Sequence, residues 1–501
     1  MSSMNEALAQ VANREELINE NNRLESELAA ARHRIEWFKR QMFGSTSERF
    51  VPDDSQISLD LGVAPSETER TTTKTITYDR TTKTPTVGHG RGAMPTHLPI
   101  HDITIEPTED VTGCTRIGEE ITWQYEMKRG SLFVKRFIRP KYASKNHDAV
   151  TVAALPAQPI DKGNFGPAFM AGVTVDKFVY HLPLDRQRRK FKVEYRVDIA
   201  ESTLCDVVRR SVFWLEPIYA RTKEILQRTS YLMADETPIP VLTKDGKGKT
   251  HRGYFWVYYA PVERIVVFDY RASRSARGPC EFLSTYAGVL QTDGYAGYDE
   301  VALREDVIRA ACMAHVRRKF EEALDSDRDR ATHAIDVIRP WFTRETFAKE
   351  TGASLDERFK TRLEKTVPEM IAFEQWLKDQ VATLLPKSPL GTAVGYALNM
   401  WPRFNAFMTD ARVELSNNLV ENAIRPVALG RKNYMFMGSH DAAQRSAMIY
   451  SLVATANLRG LDPFVYVKHL LERLPGESSK NIDAYLPHRC EALPQNTEED
   501  A

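Results

Sequence analysis

Apolar and polar positions alternate in different ways along this chain, and each pattern predicts a different element. Over residues 8–42 the pattern repeats every seven positions. One seam reads Leu17, Leu24, Ala31, Phe38 and the other Asn21, Leu28, Ile35, Met42, with no proline or glycine between them. Heptads predict a coiled-coil helix over 1–50, and Asn21 at a seam position is the residue type that sets register in a dimer. Self-association is expected, with a single amphipathic helix packed on its own domain as the competing reading. Residues 51–95 contain ETERTTTKTITYDRTTKTPTVGHGRGAMP, rich in Thr and poor in large apolar groups, which predicts a flexible linker. Over 96–155 the period drops to two in ITIEP, ITWQYEM and SLFVKRFIRPKY, the signature of a small β-rich module. Over 156–228 a helical period takes over. Its longest segment, ESTLCDVVRRSVFWLEPIYARTKEIL, opens on a Ser/Thr cap, and the region is expected to be helical, either a DNA-binding helix-turn-helix or a plain helical packing unit.

From residue 229 the order of elements becomes informative. YLMADETPIPVL, YFWVYYAP and RIVVFDYRA read as three strands, GPCEFLSTY as a helix and GVLQTDG as a fourth strand. VIRAACMAHVRRKFEEAL reads as a short strand running into a helix. That order predicts an α/β fold with a ribonuclease-H-like mixed-sheet core, its first part over 229–325. Residues 326–405 are helical and charged, with no strand pattern, and read as a helical insertion. The core is completed over 406–475 by a helix, SNNLVENAIRPVAL, capped by Ser416 or Asn417, and 476–501 form a C-terminal tail.

Composition narrows the class. A length of 501 residues, 42% hydrophobic and 27% charged, belongs to a multidomain soluble protein, with no apolar run long enough to span a membrane and no signal peptide at MSSMNEALAQ. Cys114, Cys205, Cys280, Cys312 and Cys490 are scattered, which favours a reducing cytoplasm over a disulfide framework. Lys plus Arg equals Asp plus Glu at 68 each, so any attraction for nucleic acid has to be local. Lys135, Arg136 and Arg139 sit in a stretch, 128–145, that holds no acid. Arg186, Arg188, Arg189 and Lys190 form a second basic cluster. Both are candidates for phosphate contact.

The chemistry rests on three acids. Asp235 falls in the first core strand, Asp293 ends the fourth, 58 positions on, and Glu421 lies on a helix a further 128 positions away. Neighbouring strand ends bring distant residues together, and three converging carboxylates call for cations; hard oxygen donors suit Mg²⁺ or Mn²⁺. Two such ions about 3.5–4 Å apart run phosphodiester chemistry with no covalent protein nucleophile. Asn418, Glu421, Asn422 and Arg425 share a helix face. Arg425, Arg431 and Lys432 are candidates for phosphate contact, as are His315, Arg317, Arg318 and Lys319 in AHVRRKF. Glu236 points to the other side of its strand and ranks below the three acids.

These motifs resemble one family. WFKRQMFGSTSER, PIDKGNFGPAFMAGVTVDKFVYHLPLDRQ, ADETPIPVL, QTDGYAGYD, CMAHVRRKF and, above all, NNLVENAIRPVALGRKNYMFMGS are similar to blocks of the large transposase of the insertion-sequence 66 family of bacterial mobile elements. The resemblance implies DDE chemistry, with Asp235, Asp293 and Glu421 on the catalytic and metal-binding positions. It implies double-stranded DNA partners (terminal inverted repeats and target DNA), two small companion proteins, and a bacterial, nucleoid-associated cytoplasmic setting. One departure stands out. Such transposases carry a zinc-finger-like module with Cys-x-x-Cys pairs after the linker, whereas here only Cys114 remains, with His147 or His101 as partners. Structural zinc needs four ligands, so no zinc is expected. Two other readings compete: a catalytically inactive DNA-binding scaffold derived from a transposase, and a hydrolytic nuclease on the same fold.

Overall fold

A computed structural model describes residues 97–493, apart from 109–110, 113–114, 129, 144–149, 162, 244–248, 478 and 491–492. All of these belong to one compact unit, Arg49–Ala501. The heptad segment, the Thr-rich linker, Cys114 and His147 lie outside the described residues.

The first sheet is built from β1 (Ile100–Thr104), β2 (Thr115–Lys128), β3 (Ser131–Ala143) and β4 (Val150–Val152). β2 and β3 form a long antiparallel pair, β1 runs parallel to β3, and β4 pairs with its far end. Along β3 the alternate side chains Leu132 and Val134 are buried, and Phe137 is buried as well. The sheet leads into three helices, α1 (Pro167–Phe178), α2 (Leu184–Glu194) and α3 (Glu201–Leu226). The entry to α1 is fastened to β2. Gly166 N–H donates to the Tyr125 carbonyl at 2.7 Å, and Phe169 N–H donates to the buried Glu126 carboxylate at 3.0 Å. A carboxylate there meets the open N–H groups of the first turn. The expected Ser/Thr cap on α3 is corrected: the N-cap is Ala200 with no side-chain bond, and Ser202 and Thr203 fall inside the first turn.

The second sheet comprises β5 (Tyr231–Leu242), β6 (Thr250–Ala260), β7 (Ile265–Arg271), β8 (Gly288–Gln291) and β9 (Val307–Ala310), in the order β7-β6-β5-β8-β9. β5, β6 and β7 are antiparallel; β8 and β9 run parallel to β5. Gly288, at φ +139°, starts β8, where a Cβ would lie 2.3 Å from the Ser230 carbonyl oxygen. Only glycine permits so close an approach of the two strands. Between β7 and β9 the chain forms α4 (Arg277–Phe282) and α5 (Asp299–Ala302); α6 (Met313–Glu322) follows β9.

A helical segment then runs through α7 (Arg328–Glu350), α8 (Leu355–Thr361), a π-helical turn over Arg362–Thr366, α9 (Val367–Val381), α10 (Pro389–Met400) and α11 (Asn405–Thr409). Its buried charges, Glu345, Arg358 and Arg362, are paired. Arg362, with a fully buried side chain, donates to Glu345 Oε1 at 2.9 Å and to the Phe407 and Asp410 carbonyls. Arg358 bridges Glu345 and Glu414.

The chain returns to the sheet with α12 (Asn418–Tyr434), α13 (His440–Leu458) and α14 (Pro463–Arg473). α13 covers the outer edge of β7: Val266 and Phe268 N–H donate to Thr455 Oγ1 (3.1 Å) and Ser451 Oγ (2.8 Å). An edge strand whose backbone is met by side chains cannot recruit another strand. Among the described residues no helix is long and apolar enough to cross a membrane.

Candidate active site

The pairing of β5 with β8 explains why two distant acids meet. It ends at the register pair Met233↔Gln291. Asp235 lies two residues beyond Met233 and Asp293 two beyond Gln291, so both have the same register offset and the same face parity. There β8 leaves the sheet and the β8-facing side of β5 opens. Neighbouring parallel strands end side by side here, and the carboxyl ends of such strands are the usual place for a site in sheets of this kind. Asp293 is fixed by its own turn, accepting from Tyr295 N–H at 2.9 Å. Asp235 accepts from Glu236 N–H at 2.8 Å.

Glu421 arrives on the first turn of α12, which is pinned at both ends. Before the helix, Gln291 Nε2 donates to the Glu414 carbonyl (2.8 Å), Met313 N–H to the Leu415 carbonyl (3.0 Å) and Asn417 N–H to Cys312 Sγ (3.4 Å). After it, Met435 adopts φ +59° and reverses the chain, so that Met437 pairs with β5 at Pro240 and Leu242. The strand that carries Asp235 therefore also holds the far end of the helix that carries Glu421. Asn417 is the N-cap, but the expected side-chain cap bond is not made. Its amide is fully buried, and neither Oδ1 nor Nδ2 finds a partner among the described residues.

The electrostatics report the proximity. The Asp235 carboxyl is pushed up to about 8, first by burial, then by repulsion from Glu236, with Asp293 and Glu421 adding to it. His315, on α6, faces Glu421 with Nε2 3.9 Å from Oε1, and its buried Nδ1 finds no partner among the described residues. Glu236 does more than its expected rank. Its buried carboxylate accepts from Arg274 Nε at 2.8 Å and from Tyr298 OH at 3.3 Å. Arg274 stacks over the Tyr295 ring, 3.9 Å from its centroid. The sequence reading missed Arg274, Tyr295 and Tyr298. The repeated tyrosine in DGYAGY was the visible signal.

The cations expected at DNA divide into groups. Lys135 pairs with Glu126 (2.9 Å), Arg136 with Asp102, and the buried Arg139 with Glu120 (2.9 Å) and the Ala153 carbonyl. Arg188 faces Asp198, Arg189 pairs with Asp185 (2.9 Å) and Lys190 with Asp176 (3.5 Å). Arg186 donates to Asn433 at 3.2 Å, which joins α2 to the end of α12. Arg317 and Lys319 pair along α6 with Glu321 and Glu322. Arg431 donates to the Pro238 carbonyl on β5 at 2.5 Å. Arg318, Arg425 and Lys432 are exposed. Arg425 and Asn422 also line a cavity of about 230 Å³ between α12, α13 and the end of α1.

Among the described residues no group of three His, Cys, Asp or Glu side chains is drawn together as a ready metal cage. The donor set nonetheless suits a hard cation: carboxylate oxygens, one of them held far from its ordinary ionisation by burial and then by neighbouring acids. His101 packs against Phe133, with ring centroids 4.5 Å apart and the planes tilted by 35°.

Comparison with known proteins bears on what such a site belongs to. The sequence profile described as "Transposase IS66 family" matches residues 162–445, more than half of the chain. The chain belongs to that family. Two further profiles flank the match: "Transposase C of IS166 homeodomain" over residues 30–103 and "IS66 C-terminal element" over 451–488. Among its relatives in Sinorhizobium fredii (strain NBRC 101917 / NGR234), uncharacterized protein y4jD is 30% identical over 490 residues, covering 92% of this chain and 94% of that one. Uncharacterized protein y4hP is 29% identical over 497 residues, covering 92% and 88%. Membership makes this an insertion-sequence transposase by family, with the DNA binding and divalent-metal use general to that class.

Proposed function

We propose that this chain binds the terminal inverted repeats of its own element and catalyses strand cleavage and strand transfer, with Asp235, Asp293 and Glu421 as the catalytic carboxylates of a ribonuclease-H-like core. One observation carries the reading: Asp235 and Asp293 stand at matched offsets beyond the last β5–β8 pair, and Glu421 is near enough for its charge to act on Asp235. The strand order β7-β6-β5-β8-β9, with three antiparallel strands followed by two parallel ones, supports the fold assignment. Asp235, Asp293 and Glu421 would hold Mg²⁺ or Mn²⁺. Such ions, when bound, activate a water or a DNA 3′-hydroxyl and neutralise the leaving oxygen.

The chain's own residues supply the rest. Asp293 is oriented by the Tyr295 N–H and Asp235 by the Glu236 N–H, so neither carboxylate swings freely. His315 Nε2 stands beside Glu421 and limits where that carboxylate turns. Arg318 on α6 and Arg425 and Lys432 on α12, all exposed, offer cations to a phosphate backbone. The N-terminal heptads would pair two chains, as the joining of two DNA ends requires. Two companion proteins of the same element and a cytoplasmic, nucleoid-associated location complete the proposal.

The test is a duplex carrying the inverted repeat that brackets this reading frame, incubated with Mg²⁺ or Mn²⁺. Wild type is expected to nick at the repeat end and to join pre-cut ends to a target. Asp235→Asn, Asp293→Asn and Glu421→Gln are each expected to lose about a thousandfold or more in rate, several kcal/mol at about 1.36 kcal/mol per tenfold. Cleavage at the wild-type rate in any of the three would sink the assignment. Cleavage without joining would favour a hydrolytic nuclease, and DNA binding without either an inactive scaffold.

A further inference from the structure

Arg274 leaves the sheet three residues after β7 and reaches across to the turn that carries Asp293. It is held on two sides. The Tyr295 ring lies under its guanidinium at 3.9 Å, and Tyr295 OH donates back to the Arg274 carbonyl at 2.7 Å. Nε and one terminal nitrogen both donate to Glu236 Oε1. The Glu236 side chain is 3% exposed, whereas that of Arg274 is 46% exposed. Its second terminal nitrogen makes no hydrogen bond among the described residues. The fully buried Arg362 differs in that it spends its donors on protein carboxylate and carbonyl oxygens.

A guanidinium that is clamped and yet half open is organised in advance for an anion, because its long side chain no longer has to be ordered on binding. Its position matters as much. The carboxyl groups of Asp235, Glu236, Asp293 and Glu421 offer a polyanion nothing to bind, and Arg274 places positive charge beside that group, on the ring of the residue whose N–H holds Asp293.

We infer that Arg274 is a phosphodiester-binding residue, taking one backbone phosphate of the DNA strand that enters the acidic crevice, and that Glu236 and Tyr295 are its positioning residues. The inference rests on the proposed DNA-cleaving function, and its test reads binding alone.

The experiment uses the full chain and an inverted-repeat duplex in which a neutral methylphosphonate replaces one linkage at a time across the repeat end. Equilibrium binding is titrated at several salt concentrations. For wild type, one linkage is expected to weaken binding about tenfold when neutralised. Arg274→Gln is expected to weaken binding of the unmodified duplex by a similar factor, to become indifferent to that linkage, and to lower the slope of log K against log salt by about one. Arg274→Lys keeps the charge and should restore the slope but not the full affinity, because ammonium lacks the planar fork. Glu236→Gln should lower affinity with the slope unchanged. An Arg274→Gln protein that keeps the wild-type slope and the same sensitive linkage would overturn the inference and leave Arg274 a structural partner of Glu236. Should Arg274→Gln fold poorly, the Arg274→Lys titration decides by the same linkage comparison. A chain that binds in this way but never cleaves would sustain Arg274 and refute the catalytic reading. Cleavage with a silent linkage scan would do the reverse.

Discussion

Glu414, in the approach to α12, and Asp235, on β5, are both largely buried acids, and they fare in opposite ways. Burial alone would raise Glu414, but Arg358 and Lys349 hold it below the usual carboxylate value. Around it Glu345, Arg358 and Arg362 complete a network in which each acid touches at least one cation. Asp235 is raised by burial, with Glu236, Asp293 and Glu421 as neighbours adding to it, and reaches about 8. Arg274 pairs with Glu236, and His315 Nε2 lies by Glu421. A buried charge with a matched partner holds a fold in one arrangement. One left unmatched is costly unless something outside the chain completes it.

Removing an acid from the matched network should be the most damaging change. Glu345→Ala leaves Arg362 and Arg358 without a carboxylate they share, and unfolding in urea at pH 7 is expected to show a loss of about 3–5 kcal/mol. A loss below about 1 kcal/mol would mean that the network is solvated and the contrast with the crevice false.

Removing an acid from the unmatched group should do the opposite. The folded value for Asp235, about 8, lies above the ordinary 3.8, so folding favours the neutral form. The stability linked to this group is complete below about pH 4 and is lost as pH rises towards 8. Asparagine stays neutral throughout. In metal-free buffer, Asp235→Asn is therefore expected to exceed wild type by up to a few kcal/mol at pH 7–8 and to match it near pH 4, read by thermal unfolding across pH. Added Mn²⁺ should raise the wild-type midpoint more than that of the variant. A variant less stable than wild type at pH 8 would show that Asp235 already has a partner within the chain.

The smallest effect is expected at His315. Substitution to Gln keeps its size while altering how Glu421 is held, and groups behind a metal ligand typically matter by about 10–100-fold. Cleavage rate against Mn²⁺ concentration would show this as a rightward shift with the melting midpoint unchanged. No shift would leave His315 a bystander.

Parts of this arrangement were readable from the chain. Strand alternation located β5 and β8, and the DG turn after GVLQ placed Asp293 where β8 ends. Glu421 was not visible in the element order, because the helical segment from Arg328 to Thr409 intervenes; only the NNLVENAIRP block singled it out. The stretch holding Lys135, Arg136 and Arg139 looked unopposed because a linear reading sees only sequence neighbours. Asp102, Glu120 and Glu126 come from adjacent strands and meet these cations across the sheet. Glu236 ranked low because it faces away from Asp235 along the strand. That other side is buried too, and it meets Arg274, 38 positions on.

The long excursion before α12 also sets a clock. Asp293 and Glu421 are separated by 128 residues (421 − 293), and chains are made at about 5–20 residues per second. A nascent chain therefore carries the paired aspartates for roughly 6–26 s before the third acid has been synthesised, and α12 is held in place only once Met437 reaches β5. Throughout that interval the growing polypeptide lacks one member of the proposed catalytic set.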